Sequence, residues 1–343
     1  MYSYVKFEAL CLLRFTLYTS RSTLSKLPMN PKKTLIIGSR RSLLAQTQTN
    51  IVRDLLLAAW DNLSVEIVFM DTQGDLNRHD PLPAIGGKGL FTAELEAALG
   101  EGRIDLAVHS LKDLPVEDSP GLTVAAVPER ADTQDMLISR RASRLEELPP
   151  HAVVGTSSLR RAAQILALRP NLQIKDIRGN VDTRLRKLDD PAFGYDAILL
   201  ARAGLFRLGH TALAHAHPIP HSAILPAPGQ GALGIQARAA DTDTRRYLQA
   251  LEHSSTRAAV TAERAFLAGL GGGCSLPVAA LGVVEDDYLA LQALVATPDG
   301  RRVIHVSGSA PSEAAQVLGR QLAAEALAQG AKELLSLFPN QIL

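Results

Sequence analysis

A cysteine set on a run of three glycines, Gly271-Gly272-Gly273-Cys274-Ser275-Leu276-Pro277, is the pattern in this chain best suited to covalent chemistry. Three glycines strip three side chains from the loop and open positive φ to its backbone, so a bulky group can approach the sulfur closely. The second cysteine, Cys11, lies in an N-terminal stretch of different character, and two such residues make no disulfide framework. A free cysteine packed on a tight turn is the alternative, since free cysteine is among the most buried residue types.

Three further motifs offer charge. In Val108-His109-Ser110-Leu111-Lys112-Asp113-Leu114-Pro115, an adjacent Lys-Asp pair supplies a cation for a substrate carboxylate and a carboxylate for a cationic intermediate. A solvated turn would carry the same pair. Gly155-Thr156-Ser157-Ser158-Leu159-Arg160-Arg161 places two arginines in the first turn of a helix. They oppose the helix dipole there, a placement that makes sense with an anion in front of the free N–H groups. Ile177-Arg178-Gly179-Asn180-Val181-Asp182-Thr183-Arg184 repeats the arrangement, and residues 155–190 hold Arg160, Arg161, Arg169, Arg178, Arg184 and Arg186. Arginine makes planar paired hydrogen bonds to carboxylate and phosphate, so the implied ligand is polyanionic. Gly86-Gly87-Lys88-Gly89-Leu90-Phe91 lacks the spacing of a phosphate-binding P-loop. It reads as a lid, with Lys88 and Phe91 available to a flat anionic ring. Pro226 to Gly234 reads as a hinge or a plain linker, and no His, Cys or carboxylate set has metal spacing.

Such motifs need a scaffold that gathers strand ends. Strand signals at 34–37, 65–70, 104–108 and 122–127 alternate with a helix that Ser42 can cap and one that opens at Thr92. The scheme repeats with strands at 152–155, 174–177 and 196–200 and helices at 158–168 and 181–188. The helix after Ser42 has apolar residues at helical spacing, with Gln48 as a polar exception. Alternation of this kind predicts a largely parallel sheet with helices on both faces and ligands at the carboxyl ends of strands. Two units in tandem predict a cleft. The last hundred residues differ: a helix over 256–270, strands at 288–297 and 302–307 across Pro298-Asp299-Gly300, and a helix over 312–329 ended by Gly330.

Composition bounds the rest. The chain has 343 residues, 46% hydrophobic, with net charge +1, enough bulk for two or three domains. The balanced charge argues against nucleic acid as a partner, and no run of about 18 apolar residues predicts a membrane span. Residues 1–32 stand apart as a basic extension with one acid, Glu8, read as disordered or non-native and excluded from the fold. A transit peptide, a poor signal peptide and an early start codon with Met29 as the first residue are the three readings.

Taken together, nine segments in order resemble the porphobilinogen deaminase (hydroxymethylbilane synthase) family. They are Gly38-Ser39-Arg40-Arg41-Ser42, Thr72-Gln73-Gly74-Asp75, Gly86 to Phe91, His109 to Pro115, Gly155 to Arg161, Arg178 to Arg184, Ala203 to Gly209, Pro226 to Gly234 and Gly271 to Pro277. Leu43, where proline often stands, and Gln73, where arginine is common, depart from the family pattern. The resemblance implies a transferase that joins four porphobilinogen molecules head to tail and releases ammonia at each step. It implies a dipyrromethane cofactor held by a thioether to Cys274, and Asp113 as the carboxylate that stabilises the cationic azafulvene left when ammonia departs. Arg40, Ser42, Lys112, Ser158, Arg160, Arg161, Arg178, Arg184 and Arg207 are assigned by similarity to cofactor and substrate carboxylates.

The family fold implied is α/β in three domains. The first two resemble two-lobed (type II periplasmic) solute-binding proteins, and the third is a small α+β domain carrying the cofactor cysteine. The boundaries expected are 33–128 plus 230–248, 132–226 and 252–343, with motion about the segment near Gln230. A monomer is implied, acting on a small molecule without nucleic acid or membrane. Its location would be cytoplasmic, or plastid or mitochondrial if residues 1–32 are a transit peptide. A polyanion-binding protein of the same two-lobed fold is the rival reading, and it leaves Cys274 and Asp113 without a role.

Overall fold

The computed structural model describes residues 33–72, 92–272 and 276–336. Its first sheet contains β1 (Lys33–Arg40), β2 (Leu63–Met70), β3 (Leu106–Ser110), β4 (Leu122–Ala126) and, from much later in the chain, β10 (Leu233–Arg238), in the order β2-β1-β3-β10-β4. The second contains β5 (Asp135–Ile138), β6 (Val153–Gly155), β7 (Gln173–Lys175), β8 (Ala197–Ala201) and β9 (Ala216–Pro218), in the order β7-β6-β8-β5-β9. The two orders are the same pattern. In each, three parallel strands are followed by one antiparallel strand that enters just after the chain crosses from the other sheet.

In each sheet four of the five strands run one way, in keeping with the expectation of a largely parallel sheet, and one reversed strand makes the sheet mixed. The reversed strands are β10 in the first sheet and β5 in the second. Part of the segment read as a hinge, Leu233-Gly234, is the start of β10, while the stretch before it makes the crossover.

Alternating side chains bury both faces of each sheet. In the first, Leu35, Ile37, Leu106 and Val108 pack with Val52 and Leu56 of α1 (Leu43–Ala59) and Leu248 of the helix Thr242–Gln249. Ile36 and Ala107 face the other way, onto Leu95 and Leu99 of α2 (Ala93–Gly100). In the second, Leu137, Val154 and Leu199 meet Ile165 of α3 (Leu159–Leu168), while Ile138 and Ile198 meet Leu185 and Leu188 of α4 (Val181–Asp189). Short α5 (Arg202–Arg207) follows β8, and the helix Thr242–Gln249 is α6.

The third sheet is an antiparallel meander of β11 (Val278–Glu285), β12 (Tyr288–Ala296) and β13 (Val303–Pro311). One face packs on α7 (Ser254–Gly269), α8 (Ala315–Ala328) and α9 (Ala331–Ser336), around fully buried Phe266. On the other face, Ala279, Leu281, Leu294 and Ala296 pack against Ala163 of α3 and Leu225. The β12–β13 turn reaches α3 as well. Gly300 has φ +68° and lies so close to the backbone of Ala163 and Ala167 that no Cβ could fit. A glycine is required there by both the turn and the approach.

Candidate active site

Five strand ends open on one cleft, each handing its chain to a helix or turn that carries a polar group. β1 leads through Arg40 to Ser42, whose Oγ accepts the Ala45 N–H at 3.4 Å and caps α1. β3 leads to a single 3-10 turn, Leu111–Asp113. β6 leads to Ser158, which caps α3 by accepting the Arg161 N–H at 3.4 Å. β7 leads to Arg178 and to Asn180, which caps α4, and β8 leads to α5 and Arg207. Carboxyl strand ends and helix N-termini are the places where an open α/β fold presents N–H groups to ligands.

Arg160 and Arg161 do not point freely from the helix start. Both are buried, and both hold Asp135: Arg160 Nη1 lies 2.9 Å from Oδ2 and Arg161 Nη2 lies 2.7 Å from Oδ1. Arg160 Nη1 also donates to Leu225 O (2.6 Å) and Arg161 Nη1 to Leu199 O (3.0 Å). The Nε atoms of both arginines are buried and lack a hydrogen-bond partner among the described residues. Burial alone would raise the Asp135 pKa, but the two guanidiniums hold it far below the carboxylate range, so it is ionised.

Gln230 ties this group to the other lobe. Its Nε2 donates to Asp135 Oδ1 (2.9 Å) and Thr133 O (2.7 Å), and its Oε1 lies 3.5 Å from Lys112 Nζ. Desolvation lowers the Lys112 pKa, against the pull of neighbouring Asp113. Arg184 donates from Nε to Gly179 O (2.8 Å), and burial lowers its pKa to about 10, with Arg161 adding to the shift and Asp113 opposing it. Arg207 reaches Gly231 O (2.7 Å), and burial alone lowers it to about 10. Arg178 pairs with Asp176 at 2.8 Å.

Asp113 is exposed at the cleft. It shares a pocket of about 70 Å³ with Arg40, Ser42, Gln48, His109 and Ser110. The polar exception in α1 is thereby explained: Gln48 donates to Ser110 Oγ at 2.8 Å, at the end of the strand that leads to Asp113. Buried His109 lies behind, its pKa lowered to about 4 by desolvation, so it is neutral near pH 7. Cys274, Lys88 and Phe91 lie outside the described residues. Gly272 is described, and its Cβ position falls 3.2 Å from Cγ2 of Val116, three residues past Asp113.

The sequence reading missed Asp135 and Gln230. Asp135 directly precedes the apolar run Met136-Leu137-Ile138, and an acid opening a buried strand was the available signal.

The fold and cleft define a class: a two-lobed α/β protein with a small α+β domain, whose cleft gathers desolvated cations near Asp135 and Asp113. The pattern described as "Porphobilinogen deaminase, dipyromethane cofactor binding domain" matches residues 35–246, and "Porphobilinogen deaminase, C-terminal domain" matches 257–328. A porphobilinogen deaminase of Roseiflexus sp. (strain RS-1) is 50% identical over 305 residues, 89% of this chain and 99% of that one. One from Neisseria meningitidis serogroup A is 48% identical over 315 residues, 91% of this chain and 99% of its own. The chain belongs to the porphobilinogen deaminase family. Among solved structures, the methionine-binding protein MetQ is similar over 64% of this chain and 89% of its own, with 14% identity and a TM-score of 0.40.

Proposed function

We propose that this chain condenses four porphobilinogen molecules into hydroxymethylbilane on a dipyrromethane attached to Cys274, with Asp113 as the catalytic carboxylate. One observation carries the reading: the cleft gathers Lys112, Arg160, Arg161 and Arg184 around Asp135 and Asp113, and Arg207 is desolvated against Gly231. Desolvated cations in excess of their counter-charges are unfavourable until an anion arrives. Each porphobilinogen brings an acetate and a propionate, and the unpartnered Nε atoms of Arg160 and Arg161 suit a carboxylate-bearing dipyrrole.

When bound, the dipyrromethane supplies a free pyrrole α-carbon that acts as the nucleophile. The chain's residues do the rest. Arg40, Ser42, Lys112, Ser158, Arg178, Arg184 and Arg207 hold carboxylates so that the aminomethyl carbon of the incoming substrate faces that nucleophile. As its C–N bond breaks, the electron pair leaves with ammonia and positive charge spreads to the pyrrole nitrogen. Asp113 stabilises that charge. The new C–C bond forms at the carbon that lost ammonia, and Asp113 would take the proton released by the attacking α-carbon.

We divide the chain at 33–128 plus 230–248, 132–226 and 252–343. The sheet topology supports this, because β10 closes the first sheet after the second is complete.

Intact mass tests the reading. Protein purified under mild conditions should exceed its chain mass by two pyrrole units, and porphobilinogen should add a ladder of equal steps. Cys274→Ser should abolish the excess, and Asp113→Asn should keep it while losing turnover. A chain with no excess mass that porphobilinogen leaves unchanged refutes the reading and favours a binding protein.

A further inference from the structure

We propose that Arg264, on the helix that leads to the cysteine loop, is a positioning residue for Asp113. The inference rests on the role of Asp113 given above. Asp113 stands on one 3-10 turn, an element with poor hydrogen-bond geometry that rarely holds itself. A Leu114 N–H to Leu111 O bond of 3.2 Å closes that turn. The remaining support comes from other parts of the chain.

Arg264 supplies most of it. Its Nη1 donates to Leu114 O (3.1 Å) and, at 3.4 Å, to Leu111 O, while Nη2 donates to Pro115 O at 2.6 Å. One planar fork thus gathers three carbonyls that bracket Asp113, a geometry that a lysine point charge does not reproduce. Packing follows the same path. Val260, one turn earlier on α7, shares a cluster with Leu111 and Leu114, and Val116 packs on the core of the third domain. From behind, the return crossover presses on the turn: a Cβ at Gly229 would stand 3.2 Å from Lys112 N.

α7 ends at Gly269 and runs directly into Gly271 to Pro277. The same helix that delivers the anchoring loop also grips the turn bearing the carboxylate. Arg264 therefore ties the turn bearing the carboxylate to the helix that precedes Cys274 in the chain.

The test compares Arg264→Met, which keeps the apolar stem, with Arg264→Lys, which keeps one charged donor. Porphobilinogen turnover, intact mass and melting temperature are measured on each. For Arg264→Met, kcat should fall roughly 10- to 100-fold, the cost of displacing a catalytic group by about 1 Å. KM should stay within about threefold and the mass excess should persist, because binding groups are untouched. Arg264→Lys should recover part of the loss. Combined with Asp113→Glu, Arg264→Met should cost less than the product of the two single effects, since the carboxylate is already displaced. Should Arg264→Met fail to fold, a lower kcat at unchanged KM and melting temperature in Arg264→Lys supports the proposal. A raised KM at unchanged kcat, or a lower melting temperature at unchanged kcat, overturns it. Near-normal kcat in Asp113→Asn would instead sink the role of Asp113 itself.

Discussion

The strongest single prediction concerns Glu263. Its carboxylate is fully buried and takes Arg130 in a fork, Nη1 to Oε1 at 2.7 Å and Nη2 to Oε2 at 3.0 Å. It also accepts the backbone N–H groups of Gly229 and Gly282, each at 2.7 Å. Arg130 lies on the outgoing crossover, Gly229 on the returning one and Gly282 on β11, so a single side chain pins both crossovers to the third sheet. Glu263→Ala strands a nearly buried guanidinium and two backbone donors. Breaking a buried pair from one side costs about 3–5 kcal/mol, a large share of the roughly 5–15 kcal/mol that holds a protein folded. For a chain of 343 residues the melting midpoint should drop by roughly 4–7 °C. Arg130→Met should give a smaller loss, because the carboxylate keeps its two N–H donors. The double variant Arg130→Met with Glu263→Leu should be more stable than Glu263→Ala, since no buried charge is then left alone. Thermal melts and urea titrations of the three variants provide the check. A change within ~1 kcal/mol for Glu263→Ala, or a double variant no more stable than Glu263→Ala, would refute the pinning argument.

His109 makes stability depend on pH. Its folded pKa of about 4 lies below the unfolded 6.5, chiefly through desolvation, with Glu96 opposing the shift and Arg40 adding to it. The unfolded chain binds the proton first, so this contribution is intact above pH 6.5 and falls as pH drops towards 4, by ~3 kcal/mol. His109→Gln should flatten that limb in urea titrations between pH 7 and 4, and an unchanged slope would count against it. Asp135→Asn leaves Arg160 and Arg161 buried without their anion, and ~3–5 kcal/mol should be lost. Its urea midpoint should recover on adding a dicarboxylate, and indifference to one would argue against an anion site. Gly300→Ala puts a Cβ into the α3 backbone at φ +68°, so at least ~1–3 kcal/mol should be lost. Melting curves of Gly300→Ala beside an exposed Ala→Gly control would show whether that turn holds the third sheet to α3.

Much of this molecule was legible in one dimension. Periodicity placed α1, α3, α4 and α7 to within a few residues, and hydroxyls before them marked the caps at Ser42 and Ser158. Such signals are local, because a helix or strand writes its buried face into neighbouring residues. The chemistry-bearing turns were legible too, since glycine runs and paired charges stand out in any context. What the sequence could not show was who meets whom. β5 is four residues long, and its antiparallel place beside β8 depends on a strand some sixty residues later. β10 opens in a glycine-rich stretch that reads as a linker until the first sheet receives it. Asp135 drew no functional reading from its sequence neighbours, and only folding set it between two arginines, Gln230 and, through Gln230, Lys112. Arg264 and Glu263 lie within the helix expected over 256–270, yet each holds groups more than 30 residues away in the chain. Local pattern determines which elements form, whereas long-range pairing in a low-dielectric interior decides which charges are partnered, which stay in surplus, and so where an anion is drawn.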